Sequence, residues 1–238
     1  ELLPRLHQLL RDHGNLPVES RPPAVNLVTY APEAEFYDGA YQALTAFFRC
    51  AQKDIPDTAF SYTHIDGEKP SDEMLAKALD GSRIGRRVKA DGSIVEGRLY
   101  LVEQLFGDKE HLKDQFTDRD VVLVTGGARG ITAEVTKSLI QSTQAHFIIL
   151  ARQPQVEPWI EELGEQRVRY FAVDLLDSQA VAALDLGQYG ITLLIHGAGI
   201  EVSQNIINKS DEEFARVMGV KVGGLERILA QLDPDTLR

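Results

Sequence analysis

The clearest chemical signal in the sequence is a tight cluster of glycines that follows a short apolar run. The stretch VVLVTGGARGIT, residues 121–132, places Gly126, Gly127 and Gly130 between four apolar residues and a helix-like segment. At the junction of a strand and a helix, glycines let backbone N–H groups approach a phosphate without an intervening Cβ. We therefore expect the pyrophosphate of a dinucleotide to bind at the N-terminus of the following helix.

Two arginines near this turn indicate which dinucleotide it suits. Arg129 lies within the turn, and Arg152 ends the next apolar segment, HFIILAR, where a side chain can reach the adenosine ribose. A carboxylate at that place favours the 2′-hydroxyl of NAD, whereas an arginine favours the 2′-phosphate of NADP. Either arginine taken singly is also explained by a surface ion pair. Two cations beside one expected phosphate favour NADP.

The ends of two later strands complete the candidate site. In FAVDLLD, Asp174 is placed to accept a hydrogen bond from the adenine amino group, with Leu175 beside it; a helix cap is the alternative role for Asp174. The small residues of HGAG, 196–199, let a cofactor lie across the strand ends, and His196 is assigned no catalytic role. The candidate cofactor-binding residues are Thr125, Gly126, Gly127, Arg129, Gly130, Ile131, Ala151, Arg152, Asp174, Leu175, His196, Gly197 and Ala198.

The elements around these residues alternate between two hydrophobic periods. From Asp120 onward, the apolar runs VVLV, HFIIL, RYFAV and ITLLI alternate with helical patterns, which predicts right-handed βαβ units and a parallel sheet. Ser210, with Glu213 three residues later, indicates the start of a long helix that ends at Leu232.

The first half repeats this pattern weakly, with no glycine cluster after its first strand, VNLVTY. The predicted fold class is α/β, with a Rossmann-like parallel sheet in each of two subdomains. Residues 1–118 form a structural subdomain without a cofactor site, and residues 119–238 form the NADP-binding part. The charged stretch 107–120 is the predicted linker, and Asp91-Gly92 is a predicted hairpin turn.

Composition narrows the possible partners and surroundings. A formal net charge of -11 argues against nucleic-acid binding, which needs a basic face. No apolar run approaches the roughly 20 residues that span a membrane, and the N-terminal stretch lacks the core of a signal peptide, so a cytoplasmic setting is expected. The single cysteine, Cys50, is expected to be buried and has no partners for a metal site. We interpret RIGRRVK, 83–89, as a solvated hairpin edge; a docking patch for an acidic partner is the alternative.

The motifs TGGARG, LAR, VDLLD and IHGAG, in this order, resemble the ketoreductase domains of polyketide and polyunsaturated fatty acid synthases, within the short-chain dehydrogenase/reductase superfamily. The superfamily fingerprint T-G-x-x-x-G-x-G is matched except that Thr132 replaces its last glycine. The first half, through LAKALDGSRIGRRVKADGSIVEGRLYLVEQL, is similar to the cofactor-free structural subdomain of these ketoreductases. The resemblance covers nearly the whole chain, and TGGARGIT leans toward the iterative, fatty-acid-type branch.

The resemblance implies NADPH-dependent reduction of a β-ketoacyl thioester carried on an acyl carrier protein, beside other synthase domains in the same polypeptide. The segment KVGG matches the family's K-V-x-G and makes Lys221 the candidate catalytic residue, whose ammonium lowers the pKa of the family's tyrosine. That tyrosine and its serine come later in the family, and the sequence has no tyrosine after Tyr189. We therefore expect a fragment of a complete ketoreductase, inactive by itself.

Two alternatives stay open. A non-catalytic scaffold domain of a synthase would keep the nucleotide-binding shape without the tyrosine, although the retained Lys221 weighs against it. A free-standing dehydrogenase for a small alcohol leaves the α/β first half unexplained. The stereochemistry of reduction also stays open, because residues 201–203 read Glu-Val-Ser where one branch of the family has the marker L-D-D.

Overall fold

The computed structural model describes residues 2–35, 38–80, 83–96 and 116–238, and the chain divides into two compact units. The first contains Glu1–Val102 and Ser203–Asp211, and the second contains Glu103–Val202 and Glu212–Arg238. The predicted boundary near residue 118 stays a prediction, because most of the predicted linker lies outside the described residues. The sequence patterns did not indicate that residues 203–211 belong with the first unit.

The first unit is built on a four-stranded sheet. Its elements are α1 (Leu2–Asn15), β1 (Ala24–Ala31), α2 (Asp38–Asp54), β2 (Ala59–Asp66), α3 (Asp72–Leu79), β3 (Ile84–Val88) and β4 (Ile94–Glu96). The strand order is β1-β2-β3-β4, with β1, β2 and β3 parallel and β4 antiparallel to β3. The predicted turn at Asp91-Gly92 joins β3 to β4, and Gly92 has a φ of +79°. The stretch GRLYLVE that follows lies outside the described residues.

Residues 203–211 join the first unit by apolar burial and by polar contacts. Ile206 is buried in the same core as Leu10 and Phe48, and its N–H donates to Asp54 at 2.8 Å. Asp211 accepts from Arg11 at 2.9 Å. The unit's core therefore includes a segment distant in sequence.

Two expectations for this unit are wrong. The basic segment 83–89 contributes β3, which is an interior strand, and Arg86 is 8% exposed, so the segment is not a solvated edge. Its arginines face carboxylates: Arg83 pairs with Glu96, and Arg87 donates to Asp66 at 2.7 Å. Cys50 is exposed because it lies outside the buried stripe of α2.

The second unit carries the predicted parallel sheet. Its elements are β5 (Val121–Thr125), α4 (Gly130–Ser142), β6 (His146–Ala151), α5 (Pro158–Glu161), β7 (Val168–Ala172), α6 (Ser178–Ala182), β8 (Leu193–His196), α7 (Asp211–Met218, whose first residue is counted with the first unit) and α8 (Gly224–Leu229). All four strands are parallel, in the order β7-β6-β5-β8. The α/β class with a Rossmann-like sheet is thus confirmed. Because β6 and β8 lie on opposite sides of β5, the order reverses at β5, and ligands of such sheets bind at this point beyond the carboxyl ends of the strands.

The opposite, amino end of β5 is held by a buried carboxylate. Asp120 is 1% exposed and accepts hydrogen bonds from the Thr117 N–H at 2.7 Å and the Thr192 hydroxyl at 3.0 Å. Burial raises the pKa of Asp120, but these hydrogen bonds and the charge of Arg238 outweigh that effect and hold the pKa below its ordinary value. We assign Asp120 a structural role.

The long C-terminal helix is present but is not regular. It runs from Asp211 to Leu229 rather than from Ser210 to Leu232, and a π-helical turn, Gly219–Gly223, separates α7 from α8. Apolar periodicity did not predict this turn.

Candidate cofactor site

A cleft of about 580 Å³ opens at the carboxyl ends of the strands in the second unit. This volume lies within the range of pockets for small ligands and cofactors. Ten of the thirteen predicted cofactor-binding residues line it: Gly126, Arg129, Gly130, Ile131, Ala151, Arg152, Asp174, Leu175, Gly197 and Ala198. The structure thus brings together residues from the ends of β5, β6, β7 and β8.

The glycines of the turn are required for different physical reasons. Gly126 has a φ of +70°, and a Cβ there would lie 2.8 Å from both the N and the Cα of Ala198, so this position excludes any side chain. Gly130 has a φ of +66°, but no atom lies within 4 Å of its Cβ position. Gly127 is buried against Val124, with 2.7 Å from its Cβ position to Val124 Cγ1, and it does not line the cleft. The turn is therefore pressed against β8 at Gly126 and open at Gly130.

The first turn of α4 presents its N–H groups to this open space. Arg129 is the N-cap residue, and no side chain among the described residues caps this helix end. Residues 130–133, Gly-Ile-Thr-Ala, include no acidic residue. The positive end of the helix dipole is therefore not neutralised locally, which favours an anionic ligand. Ile131 is 86% exposed in the cleft wall and is available for apolar contact.

The two predicted phosphate-binding arginines differ in their partners. Arg129 is 62% exposed and forms an ion pair with Glu157. Arg152 is exposed, and its side chain makes no hydrogen bond or ion pair within residues 116–238. Arg152 is thus the cation that is available to a ligand, whereas Arg129 would have to leave Glu157.

Asp174 does not cap a helix, so that alternative is wrong. Its Oδ1 accepts from the Leu176 N–H at 3.0 Å, in its own loop, while Asp177 caps α6 by accepting from the Gln179 and Ala180 N–H groups. Leu175 is buried in the cleft wall, 6% exposed. Asp174 therefore lines the cleft with a carboxylate whose orientation is held by its own backbone.

Thr125 and His196 lie beneath the cleft rather than in its wall. The Thr125 hydroxyl lies 2.8 Å from His196 Nδ1 and accepts from the Ala198 N–H at 3.2 Å. Burial lowers the pKa of His196, and the backbone of Lys221 raises it by less, so the pKa stays below its ordinary value and the imidazole is neutral at pH 7. Both residues hold the ends of β5 and β8 together.

Lys221, the predicted catalytic residue, lies at the centre of the π-helical turn. A Cβ on Gly199 would lie 3.0 Å from Lys221 Cε and 3.9 Å from Nζ, so Gly199 leaves the room in which this side chain rests. Lys221 does not line the cleft, but Gly199 and its neighbour Val220 do. The ammonium thus lies close to the cleft at the end of β8.

Sequence reasoning missed several supporting residues. Glu157 holds Arg129, the Trp159 Nε1–H donates to the Ala128 carbonyl at 3.3 Å, and Arg227 braces the helix that carries Lys221. None of them carries a local signal, because each acts on a residue distant in sequence. Thr132 had one: its departure from the fingerprint marked it, and its side chain lies against Gly197.

The parallel sheet, the glycine turn and the cleft define a nucleotide-binding α/β protein of the short-chain reductase class. The chain belongs to the KR domain family, which it matches over residues 120–238. A ketoreductase domain is an oxidoreductase, and its fold binds a nicotinamide cofactor.

Relatives and solved structures agree with this assignment. The chain is 30% identical over 175 residues to erythronolide synthase EryA3 of Saccharopolyspora erythraea, covering 69% of this chain. It is 29% identical over 212 residues to naringenin synthase of Pestalotiopsis fici, covering 82% of this chain. It spans only 5% and 7% of the lengths of these proteins. Its fold is similar to the first ketoreductase of the tylosin polyketide synthase, with a TM-score of 0.72, 22% identity and coverage of 95% of this chain and 51% of that one.

Two searches for other kinds of site gave negative results within the described ranges. No group of three or more His, Cys, Asp or Glu side chains is placed to hold a metal ion. No helix is long and apolar enough to cross a membrane.

Proposed function

We propose that this chain holds NADPH for the reduction of a β-ketoacyl thioester carried on an acyl carrier protein. The observation that carries the proposal is the end of β6, where Ala151, Arg152 and Gln153 line the cleft, no carboxylate is present and Arg152 is free of partners among the described residues. A 2′-phosphate would be bound there and a bare 2′-hydroxyl would not be specifically recognised.

The rest of the cleft fits the remainder of this cofactor. The space above Gly130 and the uncapped N–H groups of α4 suit the pyrophosphate, and Asp174 and Leu175 suit the adenine. Gly197 and Ala198 form the wall beyond, and Gly127, Thr125 and His196 support the turn from beneath. NADPH would supply hydride to the substrate carbonyl carbon; this chain's residues would bind and orient the cofactor.

Lys221 is proposed to act electrostatically at the end of β8. An ammonium near the reacting carbonyl stabilises the negative charge that develops on its oxygen, and it lowers the pKa of a neighbouring acid. In the resembling ketoreductases that acid is a tyrosine from a later segment, and this sequence contains none after Tyr189. We propose that turnover needs that further segment.

The acyl carrier substrate and the neighbouring domains are inferred from the relatives. Both curated relatives are named as synthases and are many times longer than this chain. The scaffold alternative is favoured by the lack of the tyrosine, and it differs from our proposal in one respect: a scaffold has no reason to prefer NADPH to NADH.

The test is a fluorescence titration of the single tryptophan, Trp159, with NADPH and with NADH. Trp159 contacts the glycine turn through the Ala128 carbonyl, so it reports binding at the cleft. We expect tighter binding of NADPH than of NADH by this chain and by a version extended along its parent gene, with β-ketothioester reduction only by the extended form. Equal affinity for the two cofactors, or no binding by either form, would contradict the proposal and favour the scaffold.

A further inference from the structure

The helix that carries Lys221 departs from α-helical geometry at this residue. The Gly224 N–H donates to the Gly219 carbonyl, five residues back, so the turn 219–223 contains one extra residue. Such π turns are rare and are frequent at functional sites. Because the turn interrupts the regular hydrogen-bond ladder, contacts from outside the helix are needed to favour it over an ordinary α-helical turn.

Arg227 supplies one such contact. Its Nη1 donates to the Leu175 carbonyl at 2.9 Å and approaches the Gly219 carbonyl at 3.4 Å. A Cβ on Gly223 would lie 3.1 Å from this Nη1, so the glycine leaves room for the guanidinium. One side chain thus joins the first residue of the π turn to the loop after β7, at the wall of the cleft.

His196 approaches the turn from the end of β8. The Thr125 hydroxyl accepts from the Ala198 N–H, so its own proton is available to His196 Nδ1, which places the imidazole proton on Nε2. Nε2 is buried and makes no hydrogen bond within the described ranges. The Lys221 backbone raises the pKa of the ring, as a carbonyl oxygen does and an N–H would not, so it is the Lys221 carbonyl that faces His196.

These two contacts come from opposite edges of the sheet, because β7 and β8 are the outermost strands in the order β7-β6-β5-β8. We propose that Arg227 and His196 are positioning residues that hold the π turn, so that the Lys221 ammonium rests over Gly199 at the end of β8. This inference rests on the proposed function of Lys221. It implies that Leu175, on the adenosine side of the cleft, and Lys221 are mechanically coupled through one guanidinium.

The experiment follows the Lys221 side chain directly by NMR. In lysine-labelled protein, the Cε–Hε signal of Lys221 is identified by its loss in Lys221→Arg. Because Cε lies against Gly199, its chemical shift reports whether the side chain is in place. Arg227→Gln and His196→Gln should each move this signal toward that of an exposed lysine. Arg216→Gln, at an exposed position of α7, is the matched control and should leave it unchanged.

NADPH titration of the same variants separates this inference from the proposed function. Arg227→Gln should weaken NADPH binding by about 3- to 10-fold, the value of a lost hydrogen bond to the cleft wall, and Arg227→Lys should restore part of it. If the glutamine variant does not fold, Arg227→Lys is used for the NMR measurement. A Lys221 signal unchanged in folded Arg227 and His196 variants would overturn the inference. Absence of NADPH binding by the wild type would instead overturn the proposed function, and the NMR result would stand independently.

Discussion

The side chain of Thr132 fills the space that a Cβ on Gly197 would need. From that Cβ position, Thr132 Cγ2 lies at 2.5 Å and Thr132 Cβ at 2.9 Å. Thr132 belongs to the first turn of α4, and Gly197 directly follows β8. The fingerprint of the short-chain reductases has glycine where this chain has threonine, and here the smallest residue lies on the facing strand end. The close contact between helix and strand is thus kept by a threonine–glycine pair.

This pair predicts a coupled effect on stability. Gly197→Ala should destabilise the second unit by about 1–3 kcal/mol, because the added methyl group overlaps Thr132. Adding Thr132→Gly should recover part of that loss, since it removes the overlapping atoms. Urea unfolding followed by Trp159 fluorescence measures each variant, and a coupling energy of about 0.5 kcal/mol or more is expected. Additive effects would show that the two positions do not share this space.

The two glycines with left-handed backbone should differ in their tolerance of alanine. Gly126→Ala should cost about 2–4 kcal/mol, because a positive φ is unfavourable and the new Cβ would meet the backbone of Ala198. Gly130→Ala should cost only about 1–2 kcal/mol, since its φ is similar but its Cβ position is open. The midpoints of thermal unfolding of the two variants compare them directly. Equal losses would mean that conformation alone, and not the approach of β8, requires glycine at Gly126.

The arginines should contribute unequally to cofactor selectivity. Arg152→Gln should reduce NADPH affinity by about 10- to 100-fold, the value of a charged hydrogen bond, and leave NADH affinity almost unchanged. Arg129→Gln should have a smaller effect, because Arg129 is already paired with Glu157. Glu157→Gln should release Arg129 and raise NADPH affinity. Titration of Trp159 with both cofactors measures all three variants, and a loss of NADH binding as large as that of NADPH in Arg152→Gln would contradict the assignment.

The stability of the second unit should fall as the pH decreases below 6.5. The pKa of His196 is lowered from 6.5 by burial, so the unfolded chain binds a proton more readily than the folded one. Stability is therefore complete above 6.5 and declines until the pH passes the folded pKa. His196→Asn should flatten this decline in Trp159-monitored unfolding between about pH 5 and 7. The depressed pKa of Asp120 acts only below its ordinary value of 3.8, where stability is lost as that carboxylate is protonated, so it does not affect this range.

The sequence by itself was sufficient for the features that depend on neighbouring residues. The α/β alternation, the strand–glycine–helix junction and ten of the cleft-lining residues follow from hydrophobic period and from backbone requirements at Gly126 and Gly130. These are decided within a few residues of chain, and the order of strands then follows the general rules for βαβ units. The match to the KR domain family rests on the same local motifs.

Only the tertiary structure decided the pairings between distant residues. Arg129 meets Glu157, Thr132 meets Gly197, Arg227 meets Leu175, and Ile206 is buried in the core of the first unit. Each contact depends on which strands and helices become neighbours, and no spacing along the chain encodes that choice. The π turn around Lys221 is of the same kind, because it depends on carbonyl groups and side chains that the sheet brings to it from both of its edges.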